Sequence, residues 1–134
     1  MLNMRTLVGT LAVVVMLGTA VGCGPKMGTV EGDVTFNGEP APAQVMVEFT
    51  PVDPSMGATA TGYTDDAGHF RLAYPGRQLG APVGEYNVFI SGGEQDDEGT
   101  MVRVPVEYND DENPVFTETV VGGENTFMFD VEIP

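Results

Sequence analysis

The sequence predicts an all-β fold, a single two-sheet sandwich of about seven short strands after an N-terminal signal peptide. Three observations carry this. Apolar and polar residues alternate with a period of two in several segments after residue 28. Eighteen Gly and ten Pro in 134 residues punctuate those segments with turns. No segment after Cys23 carries an apolar stripe at helical spacing.

The first element, residues 1–22, is an address. Arg5 is the only charge before Lys26, and Thr6 to Leu17 is uncharged and mostly apolar. A cationic start, a short apolar run and small residues after it describe a secretory signal peptide. The run is short for a membrane span, which needs ~20 apolar residues.

Ala20-Val21-Gly22-Cys23 resembles the lipobox of bacterial lipoproteins. The resemblance implies that Ala20, Val21 and Gly22 form the cleavage-recognition site. It also implies a diacylglyceryl group on the Cys23 thiol, cleavage before Cys23, and acylation of the new amine with a palmitate-type chain. Ala20 stands where Leu is usual. The other reading is a free thiol just after an ordinary cleavage site, but the chain's one cysteine falls where the lipobox needs it. Two or more acyl chains anchor stably where one does not. The mature protein is then expected to be membrane-anchored, with residues 23–28 as a lipidated tether.

Residues 29–134 read as strands and turns. Thr29 to Phe36 alternates, and Asn37-Gly38 then signals a tight turn, because both residues tolerate positive φ. Pro40 and Pro42 keep the next segment extended. Gln44 to Thr50 alternates again, and Pro51 and Pro54 close it. Ala58 to Thr64 is a small-residue strand. Asp65-Asp66-Ala67-Gly68 turns the chain into His69 to Leu72, as a hairpin. Residues 75–82 are expected as loop. Glu85 to Ser91 is a strand, and residues 92–113 read as mostly irregular and acidic, with a short strand at Met101 to Val106. Val115 to Val121 and Asn125 to Ile133 complete the set, with Gly122-Gly123 between them. The inward residues are Val34, Phe36, Val45, Val47, Phe49, Phe70, Leu72, Tyr86, Val88, Ile90, Phe127, Phe129 and Val131.

Four segments in this order are similar to carboxypeptidase regulatory-like domains. Gly32-Asp33-Val34-Thr35-Phe36-Asn37-Gly38-Glu39-Pro40 resembles that family's opening, and Val47-Glu48-Phe49-Thr50-Pro51 its second strand. Thr64-Asp65-Asp66-Ala67-Gly68-His69-Phe70 resembles its hairpin, and Pro82-Val83-Gly84-Glu85-Tyr86-Asn87-Val88 the strand that follows. Val104 to Asp110 and Asn125 to Val131 resemble a lipoprotein subgroup. The resemblance implies a transthyretin-like or immunoglobulin-like sandwich over residues 29–134. It does not imply peptidase activity, because in the family this module accompanies a separate catalytic domain.

The chemistry available is sparse. There is one His, one Cys and no Trp, with 20 Asp plus Glu against 5 Lys plus Arg. A formal charge of −15 argues against nucleic acid, which needs a basic face. One cysteine is too few for an internal disulfide or a Cys-built zinc site. His69 with Ser55 or Ser91 is the only triad material, and the chain has no Gly-x-Ser-x-Gly elbow. Asp96, Asp97, Glu98, Asp110 and Asp111 are candidate calcium ligands in the 92–113 loop, because calcium takes six to eight oxygens. Tyr63, Tyr74 and Tyr108 are candidate exposed rings for carbohydrate stacking.

The expectation is therefore a non-enzymatic, lipid-anchored module of the cell envelope with a structural or protein-interaction role. Gly24 lacks the Asp that marks inner-membrane retention, which points to the outer membrane. The alternative is an envelope lipoprotein that binds calcium or a glycan through the 92–113 loop, where a rigid sandwich presents its long loop. The expected partners are the membrane, an envelope protein or a glycan, and not nucleic acid.

Overall fold

The alternation around Thr29 to Phe36 produces the longest strand, β1 (Met27–Phe36). The computed structural model describes residues 26–76, 78–95 and 101–134. After β1 come β2 (Glu39–Pro40), β3 (Met46–Pro51), β4 (Ala60–Tyr63), β5 (His69–Arg71) and β6 (Ala73–Tyr74). Then follow β7 (Gln78–Leu79), β8 (Ala81–Pro82), β9 (Gly84–Ser91), β10 (Gly93–Gln95) and β11 (Met101–Arg103). The last two are β12 (Phe116–Val120) and β13 (Gly123–Val131). Every predicted strand is present. Two expected irregular stretches are more ordered than predicted. Residues 75–82 hold β7 and β8, while residues 92–113 hold the β10–β11 hairpin and a 3-10 turn at Val106–Asn109.

Two sheets pack face to face. In the first, β1 pairs in parallel with β13, from Gly28↔Gly123 to Phe36↔Val131. On its other edge β1 pairs antiparallel with β2, β5 and β8. The second sheet runs β12-β9-β3-β4-β6-β7 and is antiparallel throughout. The core lies between them. Phe49 is its centre, with ring centroids 5.8 Å from Tyr86, 5.7 Å from Phe127 and 6.1 Å from Phe129. The expected inward residues are buried, with one exception. Phe127, on edge strand β13, is only half-buried and packs against the core. Val30, Ala41, Ala60, Ala81, Val104, Tyr108 and Val120 complete the core.

Two turns show how local chemistry sets the topology. Asn37 and Gly38 have φ of 50° and 85°, the left-handed pair that joins β1 to β2. The same turn clamps the end of the last strand: Gly38 N–H donates to Asp130 Oδ1 at 2.9 Å, and Asn37 Nδ2 donates to the Ile133 carbonyl at 3.0 Å.

The Asp65–Gly68 turn is not a hairpin within one sheet. β4 pairs with β3 in the second sheet, whereas β5 pairs with β1 in the first. The turn is a corner carrying the chain across the core. Asp65 Oδ1 accepts from the backbone N–H of His69 at 3.0 Å and of Ala67 at 2.9 Å. Those two donors hold the Asp65 carboxyl below its usual range. Gly68 has φ of 77°, and a Cβ there would stand 2.6 Å from the Val34 carbonyl oxygen, so a side chain fits neither the angle nor the space. Thr64, buried before the corner, accepts from Val45 N–H at 3.0 Å and donates to the Pro42 carbonyl at 2.6 Å.

At the opposite end, Asn125 plays a similar part. Its Oδ1 accepts from Val121 N–H at 2.9 Å, and its Nδ2 donates to the carbonyls of Thr29 at 3.0 Å and Val121 at 2.9 Å. A buried amide with several partners pins the β12–β13 connection to β1.

Edge strand β12 carries a carboxylate on its inner face. Phe116, Glu118 and Val120 share the face that turns toward the core. Burial pushes the Glu118 carboxyl above its usual range. Inward charges on edge strands oppose pairing with other chains. The raised folded-state value fixes the sign of the pH effect. This group's contribution to stability is complete below the ordinary carboxyl range and is lost as pH rises through the raised value. Glu118→Gln is therefore expected to melt higher than the wild type at neutral pH, with the gap closing in acid. Thermal melts of both proteins across that range check it, and parallel curves would refute the sign.

Candidate functional site

The sequence-predicted site residues fall into three groups. Ala20, Val21, Gly22 and Cys23 lie outside the described residues, as do Asp96, Asp97 and Glu98. Lys26 and Met27 show where the tether enters. The Lys26 carbonyl accepts from Val83 N–H at 2.7 Å, and Met27 pairs with Pro82. The chain is thus held in the sheet four positions after Cys23.

Asp110 and Asp111 follow the 3-10 turn at the far end of the sandwich. Asp110 Oδ1 accepts from Glu112 N–H at 3.0 Å, and its Oδ2 accepts from Asn113 Nδ2 at 3.3 Å. That carboxylate closes its own turn. Among the described residues, no group of three or more His, Cys, Asp or Glu side chains is arranged to hold a metal ion.

The residues that the fold does bring together lie on the outer face of the first sheet. Cross-strand register places Glu31 opposite Arg71, and Asp33 opposite His69. His69 Nδ1 is 3.2 Å from Asp33 Oδ1, its Nε2 is 3.6 Å from Glu31 Oε2, and Arg71 Nε is 3.3 Å from that same oxygen. His69 thus points away from the core, as the alternation requires. Its ring faces two carboxylates and no hydroxyl. Ser55 donates to Asp53 Oδ1 at 2.7 Å, and Ser91 belongs to β9 in the other sheet. The Ser-His-Asp material is not assembled. Exposed ion pairs of this kind contribute about 0–1 kcal/mol, so the cluster is a solvated surface network.

The rings expected at the surface are rearranged. Tyr63 is 55% exposed, as predicted. Tyr108 is buried, stacked on Phe116 at 5.8 Å, and its hydroxyl accepts from Glu132 N–H at 3.0 Å. Tyr74 is half-buried and accepts from Ala58 N–H at 3.1 Å. Sequence reasoning placed Tyr108 in an irregular loop; the 3-10 turn that folds it inward carried no periodic signal. It also missed a recess of about 490 Å³ at the base of the β10–β11 hairpin. Ile90, Ser91, Gly92, Arg103, Val104 and Val106 line it. Arg103 brings one of the chain's few cations to this end.

No family model matches the chain, and no curated protein does either. Two solved structures align with most of the chain. The major pilin subunit of Bacillus cereus aligns over 81% of this chain with a TM-score of 0.52 and 15% identity. A DUF3823 family protein from Parabacteroides merdae aligns over 82% with a TM-score of 0.43 and 13% identity. The chain spans 30% of the pilin subunit and 46% of the DUF3823 protein. At 15% identity the pilin match establishes the architecture alone: the chain is an all-β sandwich of the kind found in pilin structures.

Proposed function

We propose that this protein is a non-enzymatic envelope lipoprotein whose carboxypeptidase regulatory-like sandwich serves a structural or protein-interaction role. One observation carries the reading: the chain's sole cysteine closes a lipobox-like segment four positions before the first strand of a sandwich. Acyl chains on Cys23 would hold the protein at the membrane, while the polar exterior keeps the domain in water. Gly24 favours the outer membrane. The surface supports an interaction role better than catalysis, since the one imidazole faces carboxylates and not a nucleophile.

Mass spectrometry of the N-terminal peptide from purified envelopes tests this. The expected peptide begins at Cys23 and carries acyl groups, and Cys23→Ser is expected to leave the membrane fraction while keeping its melting temperature. An unmodified Cys23 thiol in envelopes would overturn the reading.

The ligand-binding alternative has one observation in its favour, the recess beside Arg103 at the base of the β10–β11 hairpin. If the hairpin binds calcium, millimolar calcium is expected to raise the melting temperature, by mass action on the folded state. An unchanged melt removes calcium, and a glycan array without hits removes carbohydrate.

A further inference from the structure

We infer that the sandwich stands end-on, with the β1-start end resting on the lipid bilayer and the acidic end pointing away from it. The inference rests on the lipid-anchor reading. The length of the tether comes first. From Cys23 to Met27 the chain can reach at most about 14 Å. Met27 cannot swing out, because it is paired with Pro82 while Gly28 is paired with Gly123 and Ala81. The bilayer must therefore lie close to this end.

The side chains at this end suit that position. Val52 follows β3 and is 46% exposed; Val121 follows β12 and is 53% exposed. Val52 N–H donates to the Glu85 carbonyl, and Val120 stands opposite Gly84, so the two valines flank β9. Two strand spacings separate them, about 10 Å. Pro54 lies beside them, exposed. Lys26 partly offsets Asp53, Glu85 and Glu124 here.

The other end is strongly anionic. Glu39 follows the Asn37-Gly38 turn, Asp65 and Asp66 form the corner beyond β4, and Asp110, Asp111 and Glu112 follow the 3-10 turn. A strand the length of β1 separates the two ends by about 33 Å. That is several Debye lengths at physiological salt, about 8 Å each. End-on, the distal carboxylates lie beyond the reach of anionic headgroups. Lying on its side, the domain would bring the distal carboxylates against them. Charge thus favours the standing orientation, and the exposed valines suit the interface.

The test uses the full lipidated protein in vesicles of phosphatidylethanolamine and phosphatidylglycerol that carry a nitroxide-labelled lipid. Val121→Cys and Asp66→Cys are each labelled with an environment-sensitive fluorophore, and Val52→Cys is the second membrane-side position should Val121→Cys fold poorly. Quenching about twofold stronger at position 121 or 52 than at 66 is expected, because interfacial side chains lie within roughly 5–10 Å of the acyl boundary. Equal quenching at both ends in a protein that floats with the vesicles overturns the orientation and leaves the anchor standing. Failure to float overturns anchor and orientation together.

Discussion

Phe49→Ala is expected to cost about 3–5 kcal/mol, a large part of the 5–15 kcal/mol that holds a typical domain. Phe49 is fully buried on β3 and contacts aromatic rings from both sheets. Truncation removes the apolar surface and leaves a cavity. The surrounding rings belong to paired strands and cannot collapse into it. Urea unfolding followed by far-UV circular dichroism checks the size of the effect. A loss near 1 kcal/mol or less would mean that the two sheets are not packed through this ring.

Val88→Asp is expected to abolish folding. Val88 sits on β9 between Phe49 of β3 and Phe116 of β12 in the strand register, and it has no exposure. A carboxylate there meets no cation and no donor, and an unpaired buried charge costs several kcal/mol in addition to the lost packing. Val121→Asp introduces the same carboxylate at a half-exposed position and is expected to stay within about 0.5 kcal/mol of the wild type. Proteolysis and circular dichroism of the two variants side by side give the answer. A folded Val88→Asp protein would place that face of β9 outside the core.

Four carboxyl groups contribute to acid stability with opposite signs. Asp53, Asp65 and Asp130 are each held below the usual carboxyl range by hydrogen bonds, from Ser55, from His69 and Ala67, and from Thr35 and Gly38. Their contributions are present above the ordinary carboxyl range and fade as pH falls through the depressed values. Glu118 acts in the opposite sense. Comparing Glu118→Gln with the wild type isolates that one group, because the three aspartates are common to both proteins.

The sequence by itself determined the period-two strands, the Asn37-Gly38 turn, nearly all of the core and the placement of Cys23. Each of these is written in neighbouring residues: alternation reports which side faces the core, an Asn-Gly pair reports positive φ, and the resemblance of residues 20–23 to a lipobox is read linearly. Tertiary structure alone decided the rest. The first and last strands pair in parallel, and parallel pairing leaves no turn to announce it. The Asp65–Gly68 turn joins two sheets where a hairpin would join neighbours, because β5 finds its partner in β1. Tyr108 turns inward because a ring on Phe116 and a backbone N–H at Glu132 wait for it. The more and less anionic ends exist only once distant segments are stacked, since turns far apart in the chain then share one end of a sandwich.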